Sequence, residues 1–76
     1  MDILGFVDTE DESLSLTERQ TIGHGKTEDG KRVEVDRFLG DCWDVRVDGV
    51  CARRFYQCSK GYMAHPRSGE AITWTA

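Results

Sequence analysis

The dipeptide Asp48-Gly49, set between runs that alternate apolar and polar residues, is the feature that most constrains the fold. A two-residue type I′ turn needs positive φ at both central positions, which Asp-Gly tolerates well. Before this dipeptide, Trp43, Val45 and Val47 alternate with polar residues. A period of two is typical of a strand with one buried face. We therefore predict a β-hairpin whose loop is Asp48-Gly49.

A two-residue loop at this position also predicts how the two strands pair. Counting outward, the predicted pairs are Val47 with Val50, Arg46 with Cys51, Val45 with Ala52, Asp44 with Arg53, Trp43 with Arg54, and Cys42 with Phe55. The opposite charges of Asp44 and Arg53 favour this register. The predicted core face consists of Trp43, Val45, Val47, Val50 and Ala52.

Other segments carry strand and turn signals. A second Asp-Gly, at residues 29–30, predicts another type I′ hairpin, because an alternating run containing Val33 and Val35 follows it. Ile72 and Trp74 repeat the alternation near the C-terminus.

Glycine and proline mark two further turns. Ser59-Lys60-Gly61 predicts a turn before a short return strand at 62–65, and residues 66–69 predict a loop. Residues 10–20 fit either a short helix or a strand, because they contain capping-box spacings and also an alternating stretch.

A chain of 76 residues has room for one domain with one thin core. We predict a single domain over residues 1–76 with a mainly β fold. Its small, mostly antiparallel sheet has about five strands, curls like a barrel or half-barrel, and is accompanied by at most one short helix. A deep, water-excluding active site does not fit such a core. We therefore expect a binding function, with no enzyme activity, no catalytic residues and no cofactor.

Charge is distributed unevenly along the chain. Residues 1–20 carry a net charge of −5 and residues 51–76 carry +3, within a total of −4. The acidic part can attract a basic partner, and the basic part contains Arg and aromatic residues of the types that dominate protein interfaces. The candidate partner-binding residues are Asp8, Glu10, Asp11, Glu12, Arg53, Phe55 and Lys60.

The spacing of the cysteines suggests a metal site, but the predicted hairpin holds two of them too far apart for one. Cys42, Cys51, Cys58 and His65 resemble in their spacing the Cys3His zinc fingers that bind single-stranded RNA, although the last gap is longer than in that family. The resemblance implies zinc and an RNA partner. In the predicted register, however, Cys42 and Cys51 lie about 13 Å apart along the strand, whereas zinc binds sulfur at about 2.3 Å. We therefore expect reduced cysteines and no bound metal, while convergence of the four residues stays open.

A second segment resembles another family. The run from Cys51 to Gly61 is similar to the Cys…Phe-Tyr-x-Cys-x-x-Gly stretch of peritrophin-type chitin-binding domains, over 11 residues. It implies carbohydrate binding, but the other cysteines of that family and its secretion signal are missing. In general character, as a very small and acidic chain, the protein looks like the host-takeover inhibitors of phages and mobile elements, including anti-CRISPR proteins.

These observations rank three functions. The first is a protein-binding inhibitor or regulator, and the second is a nucleic-acid-binding module that uses the basic and aromatic residues 53–62. The third is a carbohydrate-binding module. A pI near 5.0 disfavours the second, because phosphate binding needs a basic surface. The N-terminal apolar run ends at Asp8, too short for a signal peptide or membrane span. We expect a cytoplasmic protein, a monomer or homodimer, that does not associate with membranes.

The first prediction concerns metal. Purified reduced protein should contain less than one zinc per chain, and its circular dichroism spectrum should be unchanged by a chelator. One zinc per chain, together with unfolding in the chelator, would show that the zinc-finger resemblance is the better guide.

Overall fold

A computed structural model describes most of the chain, with Cys58 and Ser59 described by their backbone alone. The described residues are 1–10, 18–38, 42–56, 58–59, 62–65 and 67–75. They form eight strands: β1 (Asp2–Asp8), β2 (Gln20–Lys26), β3 (Arg32–Phe38), β4 (Cys42–Val47), β5 (Val50–Phe55), β6 (Cys58–Ser59), β7 (Tyr62–Ala64) and β8 (Ala71–Trp74). No residue within these ranges lies in a helix. The open prediction for 10–20 falls mainly on 11–17, outside the described residues.

All eight strands belong to one sheet, in the order β5-β4-β3-β2-β1-β8-β7-β6. Strand β1 joins two antiparallel groups, because it pairs antiparallel with β2 and parallel with β8. Gly5, at φ 59°, lies at the bulge where β1 changes partner. The predicted mainly β, mostly antiparallel fold is thus confirmed, with eight strands where about five were expected.

The sheet curls because its two edge strands are neighbours in sequence. Strand β5 ends at Phe55, strand β6 begins at Cys58, and they occupy opposite ends of the strand order. Three residues span at most about 11 Å. The two edges must therefore lie close together, which gives the half-barrel that the sequence predicts.

The Asp48-Gly49 hairpin has the predicted loop but only part of the predicted register. Both loop residues have positive φ, 51° and 82°, and the two pairs nearest the loop are confirmed. A bulge then inserts Ala52, so the outer pairs are Val45 with Arg53, Asp44 with Arg54, and Trp43 with Phe55. The predicted pairs Val45–Ala52, Asp44–Arg53, Trp43–Arg54 and Cys42–Phe55 are therefore wrong.

The bulge also changes which residues of β5 are buried. Ala52, predicted on the core face, is exposed, whereas Phe55 beyond the bulge is completely buried. Val50 was also predicted on the core face, but it is exposed beside the loop, before the bulge. An extra residue reverses the side-chain alternation of the strand beyond it. Edge strands often carry such bulges, which also make them poor templates for pairing with another chain.

The other predicted turns have mixed outcomes. Between β2 and β3 the connection has five residues, 27–31, with positive φ at Gly30, so the two-residue type I′ loop predicted at 29–30 is wrong. Thr27 closes this connection, because its backbone N–H donates to Lys31 O and its carbonyl accepts from Gly30 N. The return strand predicted at 62–65 is confirmed as Tyr62–Ala64, and the loop predicted at 66–69 is confirmed over 67–69. The turn predicted at 59–61 lies mainly outside the described residues.

The inside of the half-barrel holds the core. Its buried residues alternate along the strands, and Trp43, Val47 and Trp74 pack against them while half-buried. The buried hydrophobic cluster consists of Ile3, Phe6, Ile22, Val33, Val35, Val45, Phe55, Met63 and Ile72.

Two glycines of β2 make room for the large side chains of β1. A Cβ on Gly23 would lie 2.1 Å from Cζ of Phe6 and 2.7 Å from the Val7 carbonyl oxygen. A Cβ on Gly25 would lie 2.5 Å from Cγ2 of Ile3. Real Cβ atoms do not approach other atoms so closely, so the side chains of Phe6 and Ile3 rest directly on the backbone of β2.

A substitution at this contact should strongly affect stability. We expect Gly23→Ala to lower the free energy of unfolding by about 1–3 kcal/mol, because Phe6 and the backbone of β1 must move. Urea denaturation followed by tryptophan fluorescence measures this change. His24→Ala is the control, since His24 is exposed next to Gly23 and should change stability by less than about 0.5 kcal/mol. Equal midpoints for both variants would contradict the packing described.

Candidate functional site

A pocket of about 190 Å³ opens at one end of the half-barrel, and we call it the mouth pocket. Aromatic and aliphatic side chains form much of its wall, and charged groups from three positions contribute the rest. Its lining residues are Phe6, Asp8, Glu10, Ile22, Arg37, Trp43 and Trp74. The pocket therefore combines ring surface with both signs of charge.

The two acidic residues are positioned by the residue between them. Thr9 donates its backbone N–H to Ile22 O at 2.8 Å and its hydroxyl to Thr21 O at 3.2 Å. Asp8 pairs with Gly23 on β2, and its Oδ1 accepts the backbone N–H of Glu10 at 3.0 Å. These bonds extend the edge of β1 along β2 and hold both acidic residues at the pocket.

The basic and aromatic residues come from positions that face the inside of the sheet. Arg37 follows Val33 and Val35 in the alternation of β3, and it pairs with Trp43 on β4. Arg37 forms a salt bridge with Glu10, and both side chains are largely covered. On the far wall, the Trp74 ring packs on Phe6 with centroids 5.3 Å apart and an angle of 41°. The mouth pocket thus lies at the end of the core, where charged side chains join the apolar ones.

The dimensions of the mouth pocket restrict what it can hold. The volume of the mouth pocket is about 190 Å³. Small-molecule sites usually enclose roughly 300–1,000 Å³. The pocket therefore fits one side chain or a ligand of that size. Its two carboxylates and one guanidinium leave one negative charge in excess.

A separate polar network covers the outside of the sheet. Asp36 and Asp44 are buried polar residues, 2% and 1% exposed, on the face opposite Val35 and Val45. Arg54 contacts Asp44 through Nε at 2.8 Å and Nη2 at 3.1 Å, which is a bidentate pair. Arg19 bridges the two carboxylates at 3.2 and 3.0 Å.

Further contacts complete this network. Arg46 Nη2 donates to Asp36 at 2.9 Å and to Glu34 at 3.0 Å, and the Thr21 hydroxyl also donates to Asp36 at 2.9 Å. The guanidinium groups of Arg19 and Arg54 lie 4.5 and 5.0 Å from the centroid of the Phe38 ring. The acids on this face are therefore buried beneath arginines and not exposed as ligands.

The network changes the ionisation of its members. Burial by itself would raise the pKa of Asp36, but hydrogen bonds from Arg46 and Thr21 bring it below its ordinary value. For Asp44, the hydrogen bonds from Arg54 lower the pKa against a smaller opposing effect of burial. The pKa of Arg54 is raised in return by its hydrogen bonds to Asp44.

The residues that the sequence singled out for partner binding are distributed over different environments. Asp8 and Glu10 meet at the mouth pocket, whereas Arg53 forms a salt bridge with Glu70 outside the pocket lining. Phe55 is completely buried in the core, where a partner cannot contact it in the folded chain. The remaining candidates, Asp11, Glu12 and Lys60, lie outside the described residues.

The cysteines with described side chains lie far apart in the sheet. Cys42 is buried and pairs with Phe38, while Cys51 is exposed and pairs with Arg46. Neither of these two cysteines forms a disulfide, and the side chain of Cys58 is outside the description. Within the described part of the chain, no three residues of the metal-binding types are grouped to hold an ion.

Comparison with protein-family models, curated proteins and solved structures found no match. The site must therefore be interpreted from its own geometry. Among the described residues, no helix has the length and apolar character required to cross a membrane.

Sequence reasoning missed most of the mouth pocket. Arg37 carries a usable signal, because a charged residue occupies the position where the Val33, Val35 alternation predicts an apolar one. Trp43 and Trp74 were predicted on apolar faces, but their meeting at one end of the half-barrel depends on the strand order. The alternation of residues within one strand does not specify the order of the strands in the sheet.

The outer network generates a prediction about pH. Since the pKa values of Asp36 and Asp44 are lowered by folding, their contribution to stability is present above pH about 4, the ordinary Asp value. It is lost as pH falls through the lower folded values. We expect the free energy of unfolding, measured in urea, to decrease between pH 4.5 and 2.

The matching variant is Asp44→Asn, which should lose about 1–3 kcal/mol at pH 7, because it removes a buried charged acceptor. Its stability should then depend less on pH than that of the wild type. Glu28→Gln, at an exposed position, is the control and should keep the wild-type pH profile. An Asp44→Asn profile parallel to the wild type would contradict the assigned network.

Proposed function

We propose that this protein is a non-catalytic protein-binding module that acts as a small inhibitor or regulator. The observation that carries the proposal is the mouth pocket, which joins Asp8 and Glu10 to the rings of Phe6, Trp43 and Trp74. Trp and Arg are the residue types that contribute most at protein interfaces, particularly where they surround a pocket of side-chain size.

The pocket size supports a macromolecular partner over a free cofactor. A partner that inserts one residue uses the pocket as an anchor and makes its remaining contacts on the surrounding surface. Asp8 and Glu10 line the pocket, and in the sequence residues 1–20 carry a net charge of −5. Such an excess accelerates association with a basic partner and makes the rate depend on salt.

The nucleic-acid alternative has weaker support. Two of its arginines are engaged with carboxylates, Arg53 with Glu70 and Arg54 with Asp44. Phe55 is buried, which removes it as a stacking surface, although Tyr56 and Tyr62 are exposed. Phosphate binding requires basic groups that are available to the nucleic acid backbone. We therefore rank this function second.

The proposed inhibitor class, location and oligomeric state are based on the size and composition of the chain. Small size and acidic composition are the reasons for proposing an inhibitor of the kind that phages and mobile elements encode. A cytoplasmic location and a monomeric or dimeric state stay predictions. The carbohydrate-binding alternative also stays open, because aromatic rings beside carboxylates are compatible with a sugar.

Affinity capture tests the proposed function. Immobilised protein is incubated with a bacterial lysate that has been treated with nuclease, and bound proteins are eluted with salt. We expect a specific protein to be retained by the wild type and lost with Asp8→Lys, because this change reverses the charge at the mouth pocket. For the purified partner, Asp8→Lys should also reduce the association rate and its salt dependence.

Glu28→Lys is the matched control. It makes the same change of charge at an exposed position in the 27–31 connection, outside the mouth-pocket lining. It should retain the partner and associate at the wild-type rate. Retention of nucleic acid from an untreated lysate, with no specific protein, would favour the second function. Equal retention by Asp8→Lys and the wild type would remove the mouth pocket from the interface.

A further inference from the structure

We infer that the mouth pocket receives one cationic side chain, an arginine or a lysine, from the partner protein. This inference rests on the proposed function and specifies the chemistry of that same site. Its starting observation is the composition of the wall, in which Trp43, Trp74 and Phe6 face the same small space as Asp8 and Glu10.

The size of the pocket limits the occupant to about one side chain. At 190 Å³ it is too small for a nucleotide or a folded segment, but it is large enough for an extended aliphatic stem with a charged end. Arginine and lysine have that form, because both place their apolar stem along apolar surface while the charged end finds polar partners.

The charge of the pocket selects a cation. Glu10 is paired with Arg37 and Asp8 adds a second carboxylate, so the formal charges of the described lining residues sum to −1. An incoming anion would meet two carboxylates close to apolar walls, where charges are poorly screened by water. A cation instead compensates the excess charge and lies beside the faces of aromatic rings, which attract it.

The same chain already shows this combination on its outer face. The guanidinium of Arg54 lies 5.0 Å from the centroid of Phe38 while it donates to the carboxylate of Asp44. Arg19 does the same at 4.5 Å, with its second contact to Asp36. The mouth pocket offers a partner the same two elements, aromatic side chains and a carboxylate, in a concave setting.

The experiment uses single-residue probes that differ in charge, among which arginine and citrulline are matched in shape. N-acetyl-arginine amide, N-acetyl-lysine amide and the neutral N-acetyl-citrulline amide are titrated into the full chain. Binding is followed by the NMR signals of the two indole N–H groups. N-acetylglucosamine serves as the carbohydrate probe. Trp43→Phe and Trp74→Phe assign the two indole signals.

We expect a cationic probe to shift both indole signals and to bind about five- to tenfold tighter than citrulline, the preference that a cation–π contact and one carboxylate confer. Asp8→Asn removes one charge without changing shape and should abolish most of this preference. Glu28→Gln should preserve it. Equal binding of citrulline, binding of N-acetylglucosamine alone, or unchanged indole signals with every probe would overturn the inference.

The two proposals fail in distinguishable ways. If the probes leave the indole signals unchanged while Asp8→Lys still loses a captured protein, protein binding stands and the cationic occupant is wrong. If a cationic probe binds with the stated preference while no protein is captured, the pocket assignment stands and the proposed function is wrong.

Discussion

The contact between Phe6 and the backbone of β2 at Gly23 is the constraint on which the rest of the half-barrel depends. A chain of 76 residues builds a narrow interior, and the ring of Phe6 fits it because the neighbouring strand has no side chain at position 23. Gly23 and Gly25 provide that space for Phe6 and Ile3. Once these side chains are seated, β1 is fixed between β2 and β8, and the two antiparallel groups of strands become one curled sheet.

The two faces of this sheet differ in chemistry, and the same strands contribute residues to both faces. In β3, Val33 and Val35 enter the core, while Asp36 faces outward beneath Arg19 and Arg46. Salt bridges at such a surface contribute modestly when exposed, but these carboxylates are nearly inaccessible and fully engaged. The core determines how the strands pack, and the arginine-covered acids determine how the outer face is charged. At one end of the inner face, Arg37, Asp8 and Glu10 line the mouth pocket.

The sequence predicted those parts of the fold that depend on neighbouring residues. The Asp48-Gly49 loop, the burial of Val33, Val35 and Val45, and the mainly β half-barrel follow from turn chemistry and period-two alternation. The bulge at Ala52 was not predictable, because nothing in the local sequence distinguishes it from a regular strand position. Because of this extra residue, Asp44 pairs with Arg54 and not with Arg53.

The site was less accessible to sequence reasoning than the fold. Asp8 and Glu10 were selected by charge alone, and the aromatic rings that complete the pocket come from β1, β4 and β8, which the sequence separates widely. The parallel pairing of β1 with β8 brings Trp74 to Phe6, and no pattern within either strand specifies it. Phe55, chosen as an interface residue, is in the core because the bulge at Ala52 reverses the side-chain alternation of β5.

The most direct measurement of this account is a nuclear Overhauser spectrum of the uniformly labelled protein, read at the ring protons of Phe6. The account predicts cross-peaks from these protons to the Hα protons of Gly23 and to the indole of Trp74, since a Cβ at position 23 would overlap the Phe6 ring and the Phe6 and Trp74 centroids are 5.3 Å apart. A folded protein whose Phe6 ring shows neither set of cross-peaks would contradict the central packing and, with it, the position of the mouth pocket.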